Sequence, residues 1–256
     1  LASSYVIKVS FLFLCGSKAE VGIKTMQKFD FHIHTRYSDG EGAAISMVEA
    51  AEARGLAAVA LTDHGPELSV GISPNKIVQM LEDIKLARED ARIPVLAGME
   101  ANIIHIDGRI DLDAQLVKKL DLVLAGVHRL RTLSHQPREL AREYLHALMN
   151  AMKRQRIDIL AHPFQFHRYL GPYLTLDEID EFVKLAAEKE VAIELNSKYR
   201  VPDKNLLQAC LREGVKLSIG TDAHTAAEVG RVDWPMAMLR GIGARQEDLL
   251  LNRFLG

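Results

Sequence analysis

Short apolar runs and helix-period segments alternate along this chain from Lys28 almost to its end. The runs Lys28–Ile33, Leu56–Leu61, Ile93–Met99, Asp121–Val127, Ile157–Ala161, Val191–Leu195 and Val215–Ile219 predict strands. Between them, "AAISMVEAAEAR", "PNKIVQMLEDIKLARED", "DAQLVKKL", "ELAREYLHALMNAMKR", "LDEIDEFVKLAAEK" and "DKNLLQACLRE" space their apolar residues three and four apart, as amphipathic helices do. "IIHIDGRIDL" reads as a small hairpin turning at Asp107-Gly108, and "DWPMAMLRG" and "ARQEDLLLNRFL" read as closing helices. Strands alternating with helices predict an α/β fold with a parallel sheet and right-handed crossovers. An open doubly wound sheet and a closed barrel both satisfy that pattern.

The polar residues at the strand ends separate the two. The first run continues as "FDFHIHTRYSDG", and alternation puts Asp30, His32 and His34 on one strand face, with Asp39 and Gly40 just beyond. The second run ends in "LTDHG" with His64, the third in "AGMEAN" with Glu100, the fourth in "AGVHR" with His128. The fifth ends in "LAHPF" with His162, the sixth in "ELNSK" with Asn196, the seventh in "GTDAH" with Asp222 and His224. An open sheet would spread these ends along a line. A barrel gathers them on the rim where (β/α) barrels carry their active sites, so the distribution favours the barrel.

With 256 residues, 48% of them hydrophobic, the chain can build one sizeable core, and residues 26–256 are expected to form a single domain. Residues 1–25 are read as an extension or a translation artefact, with a packed extra strand as the alternative. Their apolar run "YVIKVSFLFLCGS" is too short to span a bilayer and lacks the flanks of a signal peptide. A net charge of −2 and a sequence pI of about 6.6 give no global basic field for nucleic acid or an anionic membrane. Cys15 and Cys210 form no metal or redox motif, so a reducing, cytoplasmic setting is expected, with Cys210 a small core residue.

Neutral imidazole and carboxylate together suit zinc, manganese or iron. Nine candidates, His32, His34, Asp39, His64, Glu100, His128, His162, Asp222 and His224, exceed what one ion needs and imply a cluster of two or three. A rim of merely solvated histidines would not explain why these ends hold so few serines or lysines. No G-x-S-x-G elbow and no P-loop is present.

As a set and in order, "DFHIHTRYSDG", "LTDHG", "GMEAN", "AGVH", "AHP" and "GTDAH" resemble the PHP family, named for polymerase and histidinol phosphatase domains. "GMEANIIHIDGRIDL" and "LDLVLAGVH" look especially like stand-alone bacterial PHP phosphatases, and "KLSIGTDAHTAAEVG" also looks like the PHP domain of family-X DNA polymerases. The resemblance implies a distorted (β/α)7, TIM-like barrel with a trinuclear site. Carried over by position, one ion would take His32, His34, Glu100 and Asp222; a second would share Glu100 and take His128 and His162; a third would take Asp39, His64 and His224. Some relatives place a histidine where Gly40 stands, so the third site here relies on Asp39.

Such a site implies hydrolysis of a phosphoester by a water acidified between two metals, with Glu100, Asp222 and His224 at the reacting centre. Arg129, Lys198, Arg200 and Arg168 are the basic rim residues expected to grip the substrate, with Arg36, Arg131 and His167 nearby. Asp30 is a candidate to orient an imidazole or to make a barrel-floor hydrogen bond; Glu194 could support a ligand from below, and Asn196 could bind substrate or end its strand. The expected partner is a small phosphorylated substrate, with no stable duplex binding and no membrane. A PHP-type nuclease acting on DNA ends or short oligonucleotides and a non-catalytic, metal-stabilised partner-binding barrel are the alternatives.

Overall fold

Six parallel strands pair in unbroken chain order: β1 (Val59–His64), β2 (Val95–Asn102), β3 (Leu122–Gly126), β4 (Ile159–Leu160), β5 (Ala192–Asn196) and β6 (Leu217–Gly220). Each is followed by a crossover with helices: α1 (Ala44–Ala53) precedes β1, then come α2 (Ile77–Asp90), α3 (Ala114–Val117), α4 (Pro137–Arg154), α5 (Leu176–Glu188), α6 (Lys204–Glu213) and α7 (Asp233–Ile242). The computed structural model describes residues 26–130, 134 and 136–255. The proposed extension 1–25 with Cys15, and Arg131 and His135, lie outside the described residues.

The strands are buried on both faces, including polar Thr62, Asp63, His64, Glu100 and Asn102, so β1 and β2 run about three residues past the apolar stretches that predict them. Those polar groups stay in a buried sheet because they satisfy one another, as shown below. Side-chain caps fix several helix starts: Asp203 accepts from Leu206 N, and Thr175 and Glu178 form a reciprocal capping box on α5. Cys210 is fully buried in the core, and burial pushes its thiol up to about 12.

The first predicted strand is not a regular strand. Its segment lies between β1 and β6 and bonds to both, which curls the sheet into an α/β barrel with one irregular stave. On the β1 side, Asp30 N donates to Ala58 O and Ala60 N to Asp30 O, but the next bond runs from Thr62 N to Ile33 O. Three residues of the segment therefore oppose two of β1, a bulge. On the β6 side, Phe31 N donates to Ile219 O and His34 N to Ala223 O, so three residues oppose four. Asp222 absorbs the surplus with a left-handed φ of 55°. Side chains drive the slip by taking ladder positions: Thr62 Oγ1 accepts from Ile33 N at 3.0 Å and Asp30 Oδ1 from Thr221 N at 2.9 Å.

The last predicted helix, "ARQEDLLLNRFL", is instead two 3-10 turns, Gln246–Asp248 and Leu250–Arg253. Leu249, Leu250 and Leu251 are all buried, and three consecutive residues cannot share one face of an α-helix. The hairpin forms, with an antiparallel bridge between Ile103 and Ile110 and Gly108 at φ 83°.

Candidate metal centre

Glu100 projects from the end of β2 into a ring of imidazoles. Its Oε1 lies 3.2 Å from His128 Nε2 and 2.9 Å from His162 Nε2. Its Oε2 lies 2.8 Å from His64 Nδ1, 3.3 Å from His32 Nε2 and 3.7 Å from His34 Nε2. His32 and His34 share one face of the first segment, with their Nε2 atoms 3.1 Å apart. Asp222 Oδ1 sits 3.3 Å from His34 Nε2, and Asp39 Oδ2 sits 3.2 Å from His224 Nε2. All nine residues expected as ligands join this one cluster.

These separations fit ions. Two ligands at about 2.0–2.1 Å from one zinc, opening about 90–110° at the metal, stand about 2.9–3.4 Å apart. One contact has the distance of a hydrogen bond without its direction: His64 Nδ1 and Glu100 Oε2, 2.8 Å apart, are both buried without a hydrogen-bond partner. Buried polar atoms left without a partner are costly, and atoms aimed at a shared point suit a cation there.

The outer side of the cluster fixes which ring nitrogen is free. His32 Nδ1 meets Glu194 Oε1 at 2.7 Å, His128 Nδ1 meets Asn102 Oδ1 at 2.8 Å, and His224 Nδ1 meets the Asp222 carbonyl at 2.9 Å. A proton on each Nδ1 leaves each Nε2 lone pair facing inward. Glu194 also accepts from His162 N, through Oε2, and from Asn196 Nδ2. Substituting Glu194→Gln is expected to cost roughly 10–100-fold in metal affinity, the usual scale for such partners. Competition with a chromogenic chelator measures it; unchanged affinity would remove Glu194 from this role.

The charges are set for cations. Burial pushes Glu100 up, but the imidazoles of His128, His32 and His64 hold its carboxyl well below the ordinary range. Asp222 is likewise held low, against burial, by His34 and His32, and Asp39 is held at about 2, against burial, by His224, His34 and His64. Burial lowers His34 to about 4 against the pull of Asp222, which keeps it neutral and able to ligate. His32 goes the other way: burial is outweighed by Glu194 and Glu100.

Of the sets in which the side chains converge, two follow the groups that the resemblance implies and two cross them. His34, Asp39, His64 and His224 converge; so do His32, His34 and Glu100, then His32, His162 and Asp222, then His64, Glu100 and His128. Asp30 does not orient an imidazole ring. Its carboxylate accepts from Thr221 N, Thr221 Oγ1 and Gly230 N, a floor staple between the first segment and the chain after β6. Asn196 is buried between Glu194 and Tyr199 N, so it ends its strand.

Among the basic residues, Lys198 Nζ reaches Asp222 Oδ1 at 3.3 Å, and Arg129 lines a cavity of about 510 Å³ with Glu67, Leu68, Asn102, Ile104 and Leu130. Arg168, Arg200 and His167 are exposed, with His167 on a smaller cavity beside His128 and His162. Arg36 pairs with Asp83 on α2. Sequence reading passed over Asn102, Asp111 and Asp63. Asn102 shares a strand face with Glu100 two residues earlier, which is a signal. Asp111, which accepts from Asn102 N and Nδ2, gave none.

Residues 30–198 match the PHP domain family. A probable phosphatase of Caldanaerobacter subterraneus is 32% identical over 87% of this chain and 86% of its own length. The DNA polymerase/3'-5' exonuclease PolX of Bacillus subtilis is 31% identical over 77% of this chain but only 34% of its own length. The histidinol phosphate phosphatase of Lactococcus lactis, solved with zinc, L-histidinol and phosphate, shares the fold at a TM-score of 0.62 and 19% identity, covering 86% of this chain and 95% of that one. The chain belongs to the PHP domain family and is a metal-dependent phosphoesterase, a hydrolase of phosphoric ester bonds.

Proposed function

We propose that the protein hydrolyses a small phosphomonoester with two or three divalent ions, zinc, manganese or iron, held by His32, His34, Asp39, His64, Glu100, His128, His162, Asp222 and His224. The observation that carries the reading is Glu100, a buried carboxylate with both oxygens facing imidazoles from five positions in the chain. When bound there, divalent ions supply an acidified water and offset phosphate charge. The chain's own groups do the rest. The carboxylates of Glu100, Asp222 and Asp39 balance the cations, and Glu194 and Asn102 keep the imidazole lone pairs aimed inward. Lys198, tethered to Asp222, offers a fixed cation to a phosphate oxygen.

The cavity of about 510 Å³ lined by Arg129 is the place for the leaving group. Asn102 joins it to His128, because it lines the cavity and bonds that imidazole. Its apolar wall of Leu68, Ile104 and Leu130 suits a small organic body, and Arg129 can hold an anionic end of it. Arg129→Ala and Lys198→Ala are each expected to lower kcat/KM by about 10–1000-fold, the loss of one or two charge-assisted contacts, with metal content unchanged. If both keep the wild-type value on the best substrate, Arg200 and Arg168 become the candidates for the grip.

A panel of phosphomonoesters assayed beside an end-labelled single-stranded oligonucleotide tests the function. Inorganic phosphate release from the panel is expected, without shortening of the strand. Shortening of the strand with no monoester turnover would replace this reading by the nuclease. No helix among the described residues is long and apolar enough to cross a membrane, and the partner proposed is the substrate alone.

A further inference from the structure

Asp39 differs from the other ligand candidates. It sits on the loop after the first segment rather than at the end of a stave, and its side chain is 28% exposed. It nonetheless faces three imidazoles, with His224 Nε2 at 3.2 Å, His64 Nε2 at 3.8 Å and His34 Nδ1 at 3.9 Å. A loop of six residues carrying a carboxylate toward cations needs something to hold it there.

The buried carboxylate of Asp63 does so. It is fully buried, immediately precedes ligand candidate His64, and points away from the imidazoles into the Thr35–Gly40 loop. Its Oδ1 accepts from Thr35 N at 2.7 Å, Ser38 N at 3.2 Å and Ser38 Oγ at 2.6 Å, and its Oδ2 accepts from Thr35 Oγ1 at 2.7 Å. Four donors from two loop residues therefore converge on one side chain. The turn itself is closed by Ser38 N and Gly40 N donating to Thr35 O, and a Cβ at Gly40 would lie 2.4 Å from the His34 carbonyl oxygen. On the outer side, Tyr37 Oη and Arg36 Nη2 donate to Asp83 Oδ2. The loop is clamped between a buried carboxylate and a surface one, with Asp39 next to the buried anchor.

We propose that Asp63 is the positioning residue of the Asp39 site. It holds the loop in its ion-binding shape before the ion arrives, and so sets the affinity of the ion shared by Asp39, His34, His64 and His224 without touching it. This rests on the metal-centre reading above.

The test is zinc binding to the full chain, measured as equivalents bound against free zinc by plasma mass spectrometry, beside hydrogen exchange of the metal-free protein. Wild type is expected to bind three ions. Asp63→Ala is expected to bind one of them roughly 10–100-fold more weakly and the other two as before. In its metal-free form the Thr35 amide, which donates to Asp63, should lose its protection. Asp63→Asn keeps an oxygen for both amides and the Ser38 hydroxyl, and the Thr35 hydroxyl can turn to accept, so it should restore the lost affinity. If Asp63→Ala fails to fold, Ser38→Ala decides, because it removes only the 2.6 Å bond and should weaken that ion alone. Equal affinity for all three ions in every variant, or uniform weakening of all three, overturns the proposal. So does a wild type that saturates at two ions, which would leave the phosphatase reading standing. A wild type that binds no ion instead sinks the metal-centre reading itself.

Discussion

Replacing Glu100 by glutamine is expected to produce a folded protein that binds its ions poorly and turns over almost no substrate. Both carboxylate oxygens face imidazole nitrogens, from His128 and His162 on one side and from His64, His32 and His34 on the other. Glutamine keeps the shape but loses the charge and turns one oxygen into an NH2 group, which cannot ligate. Leaving buried charges without their partner costs about 3–5 kcal/mol, or roughly a hundred- to several-thousand-fold in affinity. The loss should span more than one ion, because Glu100 belongs to two convergent sets, one with His32 and His34 and one with His64 and His128. Asp39→Asn, by contrast, should weaken mainly the ion beside His224. The metal-free Glu100→Gln protein need not be less stable than metal-free wild type, since its amide can donate to an imidazole lone pair. Metal content and kcat measured together check this; wild-type values for both would show that Glu100 bridges nothing.

Stripping the ions with a chelator is expected to abolish hydrolysis and lower the melting temperature, and adding back a divalent metal should reverse both. The folded cluster binds cations and the unfolded chain has no preformed site, so binding stabilises the fold by mass action. An ion at a thousandfold excess over its Kd contributes about 4 kcal/mol, which for a chain of this size is roughly 8–16 °C per ion. Acidification should act in the same direction as the chelator. Protons compete for the same nitrogens and oxygens, so affinity falls as pH falls. Thermal melts with and without chelator measure the shift, and full activity in thoroughly metal-free protein would end the metal-dependent reading.

Much of this was readable along the chain because it is local. Periods of two and between three and four residues mark strands and helices without reference to partners. The residue types at strand ends named all nine members of the cluster, and the sequential βα pattern placed them on one rim. Glu194 was legible as a support from below, since it alternates with Asn196 on one strand.

What the sequence by itself determined was therefore the α/β class, the order of the staves and the identity of the ligand candidates. Tertiary structure decided how they combine. His32 takes its partner from Glu194, 162 residues away, and Asp30 takes Thr221 and Gly230, 191 and 200 residues away. No local period encodes such pairs. The bulge in the first segment arises because Asp30 and Thr62 side chains outcompete ladder bonds, which is visible only once β1 and β6 flank it. The grouping of imidazoles into shared sets, the pairing of Arg36 with Asp83, and the grip of Asp63 on the Asp39 loop follow from the same cause. Each is set by the distance between atoms on elements far apart in the chain, and only the closed fold fixes those distances.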